Sequence, residues 1–126
     1  MENASVLIID DDRFNRRLYQ DLLEAEGFTV RVAASADDGL SAAMEMPPDL
    51  IVMDIEMPGM DGLSATRALK ENPRTRGVPV LIITAQAMRA QASDALAVGG
   101  SAFLRKPLQF PEFQLTVQRL LSVAAR

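Results

Sequence analysis

Five short, largely apolar runs alternate with segments of helical periodicity, and this alternation constrains the chain more than any other feature. The runs are Val6 to Ile9, Phe28 to Ala33, Leu50 to Met53, Val78 to Ile83 and Ala102 to Arg105. The first, third and fourth, rich in Val, Ile and Leu, read as strands buried on both faces, and the second and fifth as further strands. Strands that alternate with helices form a parallel sheet with helices packed on either side. The expected fold is therefore α/β, a three-layer, doubly wound arrangement of five βα units with helices on both faces of the sheet.

The helical segments carry their own start and stop signals. Asp12 is placed as the N-cap of the first helix, with Phe14, Leu18, Leu22 and Leu23 as its apolar stripe and Gly27 just past its end. Arg13, Arg16, Arg17 and Gln20 fall outside that stripe, and the three arginines read as a solvated face. Ser35 caps a second helix through about Met46, with Asp37 and Asp38 favourable in its first turn and Pro47-Pro48 as its stop. A third helix runs from Asp61 or Gly62 to about Glu71, before Asn72-Pro73. An alanine-rich helix follows over Ala87 to Val98 and closes at Gly99-Gly100. Pro111 suits the first turn of the last helix, whose core stripe is Phe113, Val117, Leu120, Leu121 and Ala124. The methionines, among them Met44, Met46, Met53, Met57, Met60 and Met88, read as core filler or loop anchors.

Composition narrows the chemistry. At 126 residues the chain is expected to be one domain over residues 1–126, with no output domain. A 48% hydrophobic and 24% charged composition is that of a soluble globular protein. The net charge of −4 argues against direct nucleic-acid binding. With no Cys and no His, the chain can form no disulfide, thiolate nucleophile, Cys/His zinc site or imidazole-based triad. A metal here must be a hard cation held by oxygen. No apolar run approaches the roughly 20 residues that span a bilayer, and no signal-type segment opens the sequence. The expectation is a cytoplasmic protein with no membrane partner.

What stands at the ends of the runs suggests a reaction. Asp10 and Asp11 follow the first, Asp54 the third, Thr84 the fourth and Lys106 the fifth. Right-handed crossovers bring all of these ends to one edge of the sheet. Clustered carboxylates repel one another, and Mg2+ relieves that repulsion. An Asp carboxylate can also attack phosphorus to form an acyl phosphate. Lys106 and the Thr84 hydroxyl are suited to the charge on the phosphoryl oxygens, which matters more in this chemistry than a general base.

Ile9-Asp10-Asp11-Asp12, Asp54-Ile55-Glu56-Met57-Pro58-Gly59-Met60-Asp61-Gly62, Thr84-Ala85 and Lys106-Pro107 together resemble the receiver domain of two-component response regulators. The likeness runs from about Ala4 to the end of the chain and is greatest to single-domain receivers of the chemotaxis and cell-cycle types. It implies a flavodoxin-like fold of strand order 2-1-3-4-5, and Mg2+-dependent transfer of a phosphoryl group to Asp54 from a histidine kinase or histidine phosphotransfer protein. It implies further that Asp10, Asp11, Asp54 and the backbone carbonyl of Glu56 hold the metal. Lys106 would pair with the acyl phosphate, Thr84 would be the switch hydroxyl, Phe103 the aromatic switch residue, and Pro107 would follow a cis peptide. Glu56 and Gln86 fall where the family tunes the lifetime of the phosphorylated state. The implied output is a changed affinity of the surface formed by the alanine-rich helix, the fifth strand and the last helix for a protein target not named by the sequence. The chain would act as a monomer or weak dimer, and as a phosphoacceptor switch rather than an enzyme. Two other functions compete: a phosphorylation-independent adaptor with the same fold, and an Asp-nucleophile phosphohydrolase. The latter wants its nucleophile on the first strand and a Thr after the second acid, where this chain has Met57-Pro58.

Overall fold

The computed structural model describes residues 4–55, 62–84, 99 and 101–124. Five strands, β1 (Ser5–Ile9), β2 (Thr29–Ala33), β3 (Leu50–Asp54), β4 (Val80–Thr84) and β5 (Ala102–Arg105), form one parallel sheet in the order β2-β1-β3-β4-β5. The described helices are α1 (Arg13–Ala25), α2 (Ala36–Glu45), α3 (Gly62–Glu71) and α4 (Phe110–Ala124). The helix expected over Ala87 to Val98 lies outside the described residues.

Period-two alternation along the inner strands divides the core in two. Leu7, Ile9, Ile51, Met53, Val80 and Ile82 face one side, where they pack with Ala36 and Ala43 of α2 and Ala65 and Leu69 of α3. Val6, Ile8, Leu50, Val52, Leu81 and Ile83 face the other, against Tyr19 and Leu23 of α1 and Phe113, Val117 and Leu121 of α4. β1, β3 and β4 are buried almost throughout, which is why they read as continuous apolar runs rather than alternating ones.

Three details differ from the sequence expectation. Phe14 does not join the α1 stripe but is 74% exposed, and Tyr19 is buried in its stead. Phe14 sits in the first turn of α1, and the inward face of this helix is set by Tyr19 and Leu23, four residues apart. The apolar run before Thr84 is only partly strand: β4 starts at Val80, because Pro79 has no amide for a ladder and the Val78 amide closes a turn on the Thr75 carbonyl. Arg16 is half-buried rather than solvated, and its Nη1 donates to the Asp10 carbonyl at 2.9 Å.

Caps and close contacts fix the helices relative to the strand ends. Asp12 accepts from the amides of Phe14 and Asn15, and Ser35 from that of Asp38, at the N-termini of α1 and α2. No basic residue lies in the last turn of α2, but Arg31 of β2 and Arg74 donate to its terminal carbonyls at Ala42, Met46, Met44 and Glu45. Gly62 packs so closely on the end of β3 that a Cβ there would lie 2.4 Å from Ile55 Cα and 2.7 Å from the Asp54 carbonyl oxygen. Both neighbours are backbone and cannot swing aside. Gly62→Ala is therefore expected to lower unfolding free energy by about 2–3 kcal/mol, read as a lower urea midpoint at unchanged slope.

Candidate functional site

The strand order reverses at β1, so helices leave β1 and β3 toward opposite faces and a crevice opens between their C-terminal ends. Asp10 follows β1 directly, its amide bonded to the Ala33 carbonyl of β2 at 3.1 Å. Asp54 is the last residue of β3 and stands in register with Ile83 of β4. Thr84 ends β4, paired with Arg105, and the Lys106 amide donates to the Thr84 carbonyl at 2.7 Å. All five residues singled out at the run ends thus lie on one edge of the sheet.

Their side chains converge. Asp10, Asp11 and Asp54 each offer a carboxylate oxygen within 4.8 Å of the others, with Asp10 and Asp54 buried and Asp11 exposed. Lys106 Nζ lies 3.1 Å from Asp54 Oδ2, its side chain 22% exposed against 3% for Asp54. Asp10 Oδ1 accepts from the Asp12 amide at 2.8 Å, while Oδ2 is buried without a hydrogen-bond partner. Burial pushes the Asp10 carboxyl up to about 6; the Asp12 amide opposes that rise, and the nearby Asp54 charge adds to it.

That orphaned oxygen is the feature a cation would answer. A buried carboxylate oxygen without a partner is costly, and the cluster presents only hard oxygen donors, the set Mg2+ prefers. The residues present fit such an ion, with Asp10, Asp11 and Asp54 as the ones able to hold it. One exposed member leaves an approach from solvent.

Of the remaining candidates, Phe103 is half-buried on β5, in register with Ile82, and packs on the α2–α3 side of the core. The Lys106–Pro107 peptide is cis. Glu56 and Gln86 lie outside the described residues, as do Met57, Met60 and Met88. Two residues near the site are not among the candidates that the sequence singles out. Arg16 ties α1 to the Asp10 carbonyl, a backbone contact that a row of arginines does not announce. Tyr19 lines a cavity beside Lys106; its spacing of four from Leu23 is a signal for an inward residue, but one that Phe14 and Leu18 share.

Beyond this crevice the chain ties into a known group of proteins. Residues 6–118 match the model of the response regulator receiver domain, and the chain belongs to that family, the receiver domains of two-component signalling. The polar-differentiation response regulator DivK of Brucella ovis is 37% identical over 120 residues, which cover 95% of this chain and 98% of that protein. Among solved structures, the chemotaxis protein CheY4 of Vibrio cholerae superposes with a TM-score of 0.89 at 28% identity, covering 94% of this chain and 98% of CheY4. A response regulator receiver domain protein from Clostridium thermocellum superposes with a TM-score of 0.86 at 27% identity, covering 94% of each chain. Among the described residues, no helix is long and apolar enough to cross a membrane.

Proposed function

We propose that the chain is a phosphorylation-controlled switch in which Asp54 accepts a phosphoryl group from a phosphohistidine on a kinase or phosphotransfer protein. The observation that carries this reading is the pairing of Asp54 Oδ2 with Lys106 Nζ at 3.1 Å beside the unpartnered Asp10 Oδ2. A buried carboxylate is held by one cation, next to a second carboxylate that leaves one oxygen without a hydrogen-bond partner.

The Asp54 carboxylate attacks phosphorus in line with the donor imidazole. A P–O bond forms, the P–N bond breaks, and the nitrogen leaves with the electron pair. Lys106 turns from the free carboxylate to the new phosphoryl oxygens, and the buried Thr84 hydroxyl donates to another of them. Asp10, Asp11, Asp54 and the Glu56 carbonyl would hold Mg2+, which would supply positive charge against those oxygens. The charge added at Asp54 draws Thr84 toward it, and Phe103, already packed at the core margin, moves inward. The surface around β5 and α4 then changes its affinity for a protein target, a bias between two existing states. Glu56 and Gln86 set how readily water ends the phosphorylated state.

The donor has a suitable landing surface. Phe110, 42% exposed, lines the cavity beside Lys106 with the half-buried Leu18 and Leu108, and Phe14, 74% exposed, stands one helical turn before Leu18 on α1. An apolar patch beside the reacting carboxylate is what a protein donor needs and a free small molecule does not. On this reading the chain works in the cytoplasm and catalyses only its own phosphorylation and dephosphorylation.

Incubation with a phosphorylated histidine phosphotransfer protein tests this. The expected result is rapid, Mg2+-dependent transfer of the label and loss of transfer in EDTA. Transfer that is indifferent to EDTA, or none with any phosphohistidine donor or phosphoramidate, would contradict the reading.

A further inference from the structure

Tyr19 is the one tyrosine of the chain and is 4% exposed. Its ring packs on Phe113 of α4, centroids 5.4 Å apart at an interplanar angle of 40°. It also lines a cavity of about 500 Å3 whose wall is completed by Lys106, Pro107, Leu108, Phe110, Leu18 and Asn15. Burial raises its hydroxyl well above the ordinary phenol range, and the charges of Asp10, Asp54 and Asp12 push the same way. The ring therefore spans from the α4 core to the neighbourhood of the acidic crevice.

Lys106 needs support of this kind. Its stem is flexible and loses rotamer freedom when the ammonium is fixed on Asp54. The cavity leaves space into which an unsupported stem can swing. Methylene stems are held where they lie along apolar surface with only the head in a polar setting. Two rings line this cavity, and that of Phe110 is 42% exposed, whereas that of Tyr19 is buried and fixed from behind by Phe113.

We infer that Tyr19 is a positioning residue for Lys106: fixed on Phe113, its ring limits the lysine stem so that Nζ stays on Asp54. The ring, not the hydroxyl, does this. Only the second of the two measurements below rests on the reading of Asp54 as phosphoacceptor.

The first measurement is a double-mutant cycle between Asp54→Asn and Lys106→Met, read from unfolding constants in EDTA. The coupling, about tenfold in the parent as for pairs in direct contact, falls towards one in Tyr19→Leu and is kept in Tyr19→Phe. Tyr19→Met fills more of the volume and replaces Tyr19→Leu if that variant does not fold. The second uses phosphoramidate with saturating Mg2+. Tyr19→Leu lowers the maximal labelling rate about five- to tenfold, as loss of orientation does, and leaves the Mg2+ midpoint within about twofold; Tyr19→Phe restores the rate. In a Lys106→Met background, Tyr19→Leu has no further effect. Coupling that stays at its parent value in Tyr19→Leu, or a rate loss of equal size with Lys106 removed, would overturn the inference. If the parent takes no label, the reading of Asp54 fails, and the coupling cycle still decides the role of Tyr19.

Discussion

In Asp54→Asn, labelling by a phosphohistidine donor falls to background, a loss on the order of 10³-fold or more, as expected when a nucleophile is removed. The amide keeps the shape of the carboxylate but offers no anionic oxygen to phosphorus. The fold survives the exchange. Asp54 lies at the end of β3, where its backbone remains in register with Ile83 and the Ile55 amide donates to the Ile83 carbonyl at 3.2 Å. One of three clustered negative charges is removed, which offsets part of the lost pairing with Lys106. A thermal midpoint within a few degrees of the parent therefore accompanies the loss of label. Asp54→Ala behaves alike toward the donor but is less stable, since Lys106 then faces a hole. Persistent acid-labile label in either variant would assign the acceptor elsewhere.

Asp10→Asn should separate stability from function. In the metal-free protein Asp10 is a buried carboxylate with one oxygen unpartnered, beside the like charge of Asp54. Its carboxyl is raised to about 6, so at neutral pH the folded protein holds it ionised at a penalty. Asparagine removes that charge and keeps an acceptor for the Asp12 amide, which now bonds to Oδ1 at 2.8 Å. The expected gain in the unfolding free energy of the metal-free protein is about 1–2 kcal/mol. The stabilisation that the parent gains on adding excess Mg2+ is lost, together with most of the labelling rate. Melting curves in EDTA and in Mg2+ show both effects: the variant lies above the parent in EDTA and does not move when Mg2+ is added. A variant less stable in EDTA, or one that keeps the full Mg2+ shift, would mean that Asp10 is not the poorly neutralised member of the cluster.

The parts of this molecule that read directly from sequence are those governed by burial on both sides. β1, β3 and β4 carry continuous apolar runs because helices cover each face of the sheet, and every residue from Val6 to Ile9 and from Leu50 to Met53 is apolar and buried. Asp10, Asp54, Thr84 and Lys106 stood out because each interrupts such a run or follows it, and the parallel topology gathers strand ends on one edge. Choices between neighbouring positions on a helix were less legible. On α1, Phe14 and Leu18 share a spacing of four, but so do Tyr19 and Leu23, and only docking against β1 and α4 selects the second pair. The Arg16 contact was hidden for another reason. Its partner is the Asp10 carbonyl, a backbone group that every residue possesses and that no spacing reveals. The arginines that close α2 come from β2 and from the α3–β4 connection, too far along the chain to read as caps.

The most direct test of the central claim is chemical localisation of the phosphoryl group. Borohydride reduces an acyl phosphate of aspartate to homoserine and leaves free carboxylates and phosphate monoesters unchanged. After phosphorylation in Mg2+ and borohydride treatment, peptide sequencing by mass spectrometry is expected to find homoserine at position 54 and at no other aspartate. Homoserine at position 10 or 11, or a borohydride-resistant phosphate on Thr84, would contradict the account.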